Sequence, residues 1–201
     1  MNWLRSVWLV ADAVLTTACA SSPPHYHTLV AAAGDAVPEA STRPYCVNVE
    51  RVTVPAQVDR SELVVRRNDG EVAILDNELW IAPLADEVKS AVSTEIQRRL
   101  RAAEPNVLDP VLRTISLHIE VERFESAPAR YSMIEVMWQL RAKKPNDEVI
   151  LTCRSEVFER VGSGYVAMVR GHRRGIALVA DEMADSMRRL AVDGAATCSV
   201  D

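Results

Sequence analysis

The chain has 201 residues, 48% of them hydrophobic and 25% charged, with a formal net charge of -5. That length suits one domain with a tail, and so much apolar content argues against a disordered chain. No basic stripe is present, which argues against a nucleic-acid partner, and with 5% aromatic residues the core must rest on Val, Leu, Ile and Ala.

The chain opens with MNWLRSVWLVADAVLTTACASSPP, in which Arg5 precedes a short apolar run, Val7 to Leu15. The run is too short to cross a bilayer and suits a signal peptide over 1–18. A cysteine just after it, Cys19, followed by Ala20-Ser21-Ser22-Pro23-Pro24, has the form of a bacterial lipoprotein signal, with Cys19 lipidated. Thr16 stands where that signal usually has leucine, and Asp12 places a charge in the apolar run. An ordinary secretion signal is the alternative. Residues 19–44, rich in Ala, Ser and Pro, read as a tether interrupted only by the strand-like His25 to Leu29. The folded domain is expected over 45–195.

Export makes the cysteines candidates for a disulfide. Cys153 shares the apolar phase of its strand with Leu151 and Val157 and reads as a buried thiol. Cys46 and Cys198 lie near the two ends of the folded part, and domain ends are often close together, so these two are expected to pair. There is no CxxC, and His25 and His27 lack a fixed third and fourth ligand, so no metal site is expected.

Residues 46–54 form the first long strand, with Val52 and Val54 alternating with Arg51 and Thr53. Pro55 interrupts it, and the polar knot Gln57-Val58-Asp59-Arg60-Ser61-Glu62 follows before a strand over 63–67. Neighbours in sequence, Asp59 and Arg60 are expected to find separate partners, an orphan backbone amide for the acid and a carbonyl or carboxylate for the base. Gln57 and Val58 are expected at an exposed loop tip, with Trp80 packed beneath. Asp69-Gly70 signals a tight turn into a third strand over 72–75.

Pro83 and Asp86-Glu87 open a helix whose Leu84, Val88, Val92, Ile96 and Leu100 make one apolar stripe. Pro105 and Pro110 end it. Three longer alternating strands follow over 113–125, 130–143 and 148–161, with short connections at Pro128 and Pro145-Asn146-Asp147. A last helix over 165–191 carries Val169, Ile176, Val179, Met183, Met187 and Leu190 at near-heptad spacing. The order β-β-β-α-β-β-β-α predicts an α+β two-layer sandwich, a mostly antiparallel sheet with both helices on one face.

No nucleophile motif, phosphate loop or dinucleotide fingerprint appears, so neither catalytic residues nor a cofactor are expected. Gly162-Ser163-Gly164 lacks a phosphate loop's lysine and reads as a plain strand-to-helix connection. His118, between Ser116 and Glu120 on a polar strand face, reads as solvated. The cluster Arg170, Arg173, Arg174 reads as a solvated helix face, and Gly171 and Gly175 within it either permit a close contact or are merely tolerated.

Pro55, Asp59, Arg60, Leu63, Val64, Trp80, Pro83 and Leu84, in the stretch VERVTVPAQVDRSELVVRRNDGEVAILDNELWIAPLADEV, carry a resemblance. The stretch resembles the signature region of the ABC-type transport auxiliary lipoproteins, the paraquat-inducible protein C (PqiC) family. Gln57-Val58, Ser61, Leu79 and Ala82 depart from the family's pattern. The resemblance implies a periplasmic accessory subunit anchored in the outer membrane through Cys19. It implies an MCE-domain transport protein as partner, homo-oligomerisation, and a docking role for the loop at Pro55, Gln57, Val58, Asp59 and Arg60. A monomeric lipid carrier or an envelope-lipid hydrolase is the alternative.

Overall fold

A computed structural model describes residues 22–32, 45–100, 113–144, 147–193 and 197–198. Cys19, the tether segment 33–44, the helix break at Pro105 and Pro110, and Pro145-Asn146 lie outside the described residues. The elements are β1 (His25–His27), β2 (Tyr45–Thr53), β3 (Glu62–Arg66), β4 (Val72–Trp80), α1 (Leu84–Leu100), β5 (Arg113–Ala127), β6 (Tyr131–Lys144), β7 (Asp147–Arg160) and α2 (Tyr165–Asp193).

The architecture is α+β, as the periodicities predict. Alternation puts Ile115, Leu117, Ile119 and Val121 of β5 and Ile134, Val136, Trp138 and Leu140 of β6 on the buried face. Both predicted helical stripes are buried along their full length. α1 packs on β2, α2 on β6 and β7, and the helices pack on each other, so one face of one sheet carries both.

The strands divide between two sheets rather than forming one. The larger runs β2-β5-β6-β7 and the smaller β1-β4-β3. Each contains one parallel pair, β2 with β5 and β1 with β4. β4 also runs past the expected end at Leu75 to Trp80. The inward residues of the smaller sheet, Leu63, Val65 and Trp80, join the same buried cluster as the larger sheet and helices.

The strand-like His25 to Leu29 belongs to the fold and not to the tether. β1 pairs with β4 through His25↔Glu78 and His27↔Trp80. Both imidazoles meet one carboxylate: His25 Nδ1 is 2.9 Å from Glu78 Oε1 and His27 Nε2 is 2.5 Å from Oε2. Beyond β1, the Leu29 amide and the Thr28 hydroxyl donate to the buried Glu87 carboxylate of α1, at 2.7 and 2.8 Å. Leu29 itself is buried.

The disulfide joins Cys153 to Cys198, with Cα atoms 5.6 Å apart, and Cys46 is the buried free thiol. The expected Cys46–Cys198 pair is therefore corrected, and the sheet order gives the reason. β2 and β7 are opposite edges of a four-stranded sheet, about 14 Å apart at ordinary strand spacing. α2 lies over β6 and β7, and Thr197 is held to that helix, its carbonyl accepting from Ser186 Oγ at 2.9 Å, which keeps Cys198 beside β7. Cys46 is out of a disulfide's reach from that side.

Gly171 permits a close contact. A Cβ there would lie 2.3 Å from Ser132 Oγ and 2.4 Å from Val161 Cγ1, so the helix touches β6 where no side chain fits. Gly171→Ala is expected to lower stability by about 1–3 kcal/mol through overpacking, read by urea unfolding. An unchanged midpoint would show that the helix shifts freely.

Candidate docking site

The strand breaks at Pro55 because the next residues fold back on it. The amides of Val58 and Asp59 both donate to the Pro55 carbonyl, at 2.9 and 3.1 Å, and Arg60 N donates to the Val58 carbonyl at 2.8 Å. The loop ends where the Trp80 amide donates to the Ser61 carbonyl at 2.6 Å, tying it to the last residue of β4. The Trp80 ring is buried beneath, edge-on to Phe124 with centroids 6.2 Å apart. Backbone hydrogen bonds and one apolar plug hold the loop.

Three expectations for this loop need correction. Val58 is buried at 8% exposure and joins the core, so the turn drives it inward while Gln57 stays outside. The Asp59 carboxylate is exposed and, among the described residues, makes no hydrogen bond or ion pair. The backbone already satisfies the amides it was expected to cap. Arg60 is half-buried and likewise unpartnered.

Beside the loop runs a groove of about 390 Å³ that no local sequence pattern signals. Its walls are the loop, one face of the β3–β4 hairpin and the far end of β5. Register assembles the hairpin wall, since Val64 stands opposite Ile74 and Arg66 opposite Val72. Ile74 and Val72 are 50% and 59% exposed and line the groove together with Val64. On β5 a bulge between Val121 and Arg123 resets the alternation, burying Phe124 and Ser126 and leaving Arg123 and Glu125 toward the rim.

The groove has more cations than anions. Arg123 donates to Glu125 at 2.9 Å and Arg66 reaches the same carboxylate oxygen at 3.4 Å, while Tyr131 donates to its other oxygen at 2.9 Å. Burial alone would raise the Glu125 carboxyl, but the hydrogen bonds from Arg123 and Tyr131 outweigh it and hold it below the usual carboxylate range. One carboxylate thus serves two guanidiniums, and Arg60 has none among the described residues.

At the groove floor, Ser126 Oγ lies 2.8 Å from His172 Nε2, a serine–histidine contact invisible in the sequence because 46 residues separate the two. The imidazole stacks on Phe124 with centroids 3.9 Å apart. Burial pushes His172 down to about 3, and its Nδ1 has no hydrogen-bond partner. So weak a base, with no acid behind it, does not activate a serine near neutral pH. The pair is packing, and it gives the hydrolase alternative no support.

His118, on the outer face of the larger sheet, shares the Glu50 carboxylate with Ser116, at 2.6 and 2.5 Å. Glu50 sits between the two side chains, so serine and histidine face the acid and not each other. No group of three or more ligating side chains is placed to hold a metal among the described residues. Nor is any helix among them long and apolar enough to cross a membrane.

A family model described as the ABC-type transport auxiliary lipoprotein component matches residues 27–184. Two solved structures share the fold. One, a crystal structure of a protein described as uncharacterized, is 18% identical with a TM-score of 0.60, covering 83% of this chain and 99% of that one. The other, from Xanthomonas campestris, is 16% identical with a TM-score of 0.51, covering 70% and 81%. No curated protein matches the chain.

Proposed function

We propose that this chain, which belongs to the ABC-type transport auxiliary lipoprotein component family, is the membrane-anchored docking subunit of an MCE-type lipid transport system. The reading rests on the family match, which runs from the end of β1 into α2 and takes in the loop, the groove and both sheets. The family is one of transport accessories and not of enzymes.

In this reading Cys19 carries the lipid and holds the protein at the periplasmic side of the outer membrane. The loop at Pro55–Arg60 meets the MCE-domain tube, with Gln57 and Asp59 as its exposed contacts and Trp80 as its support. We propose as well that the subunit is a homo-oligomer, in which several anchored copies reinforce one another at the membrane through their high effective concentration.

Two arms test the proposal. The Cys19→Ser chain is expected to leave the membrane fraction; equal membrane retention would refute the anchor. A Gln57→Ala/Asp59→Ala chain, with unchanged melting, is expected to capture less of the MCE-domain protein. Full capture would remove the loop from the interface.

A further inference from the structure

The hairpin wall of the groove offers apolar side chains and few hydrogen bonds. The backbones of β3 and β4 pair with each other, so Val64, Val72 and Ile74 present hydrocarbon alone. A peptide lying across that face would leave its own amides without partners there, a cost that a methylene chain does not bear; only the outer side of β3, the edge strand of the smaller sheet, would offer a peptide backbone partners. Arg66 stands on the hairpin wall itself and the loop and β5 add Arg60 and Arg123, with one acid, Glu125, among the three. Guanidinium pairs well with phosphate oxygens, and Arg60 has no competing partner among the described residues to give up.

Size narrows the ligand further. The volume of about 390 Å³ is near the small end for ligand sites, which suits one hydrocarbon chain and not two. We infer that the groove holds one acyl chain of a phospholipid against Val64, Val72 and Ile74, with its phosphate on Arg60 and the neighbouring arginines. This deepens the transport reading and rests on it for the ligand's source, though the site's chemistry is read from the groove alone. The subunit would then handle the lipid as well as dock the tube.

The test uses the full chain in a non-ionic detergent and a monoacyl glycerol phosphate carrying a photoactivatable group on its acyl chain. Crosslinks are expected to concentrate within residues 58–74 and 123–126. Arg60→Ala, at a side chain with no partner to lose, should cut labelling by about tenfold or more, as losing a charged hydrogen-bonding partner implies. Ile74→Asp should do the same from the apolar side, with melting curves confirming that both variants fold.

The matching neutral monoacylglycerol should label about tenfold less. Equal labelling by the neutral probe, or labelling indifferent to both substitutions, overturns the proposal. So does suppression of labelling by an alternating Glu-Val peptide at lower concentration than by unlabelled lipid, which would make the groove a peptide site. Lipid labelling fails independently of tube capture. Lost labelling with intact capture rejects only the groove, and lost capture with intact labelling rejects only the docking role.

Discussion

Trp80→Ala is expected to lower stability by about 3–5 kcal/mol, the cost of truncating a large buried aromatic. For a chain of this size that means a fall in melting temperature of about 6–20 °C. The ring is 3% exposed, closes the core beneath the loop and meets Phe124 edge-on. Its removal leaves a cavity where two sheets and a loop converge, and the loop's tie to β4 through the Ser61 carbonyl loses its packed base. Asp59→Ala, at an exposed and unpartnered carboxylate, should stay within about 0.5 kcal/mol. Equal melting of the wild type and Trp80→Ala would mean that the loop stands without its plug.

The second large effect is acid sensitivity from His172. Its folded pKa, about 3, lies below the ordinary histidine value of 6.5, because burial disfavours the charged ring. The unfolded chain therefore takes up a proton that the folded one refuses. His172's contribution is complete above pH 6.5 and falls by about 1.4 kcal/mol for each unit of acidification toward pH 3. Between pH 6.5 and 5 the loss should reach about 2 kcal/mol. Nearer pH 4.5 the carboxylates held low in the fold, Glu50, Glu78, Glu95 and Glu125, begin to add their own losses.

His172→Phe keeps a flat ring against Phe124 but cannot titrate. It is expected to be less stable at neutral pH by about 1–3 kcal/mol, since Ser126 loses its partner, and to lack the slope above pH 5. Urea unfolding at several pH values reads both quantities. A variant that retained the wild-type slope would assign the proton to another group.

What the sequence revealed depended on how far apart the deciding residues lie. The stripe from Leu84 to Leu100 and the alternation from Ile115 to Val121 are local patterns, and each predicted its element and buried face. Strand partnership is not local. Nothing in residues 46–53 says that they pair in parallel with 114–120, nor that the strands divide between two sheets. The cysteine pairing failed for the same reason, since it required knowing that β2 and β7 are opposite edges. Val58 was misplaced because a tight turn reverses side-chain direction within one residue, while the polar letters around it suggest exposure. The groove needs Ile74, Arg60 and Arg123 together, and only the register of β3 on β4 and the bulge in β5 bring them there.

The early docking of β1 has a mechanical consequence. Five residues separate Cys19 from His25, a reach of about 20 Å when fully extended. With Cys19 lipidated, as proposed, that leash is short, and any tug from the bilayer arrives first at β1. A pull along that strand loads its parallel register with β4 in shear, all rungs together, where a hairpin end would peel one rung at a time. Behind it, the grip of Glu87 on Thr28 and Leu29 passes the strain into α1. The body would then ride on the membrane surface as a bracket fixed to a wall, at a set height and with little freedom to swing.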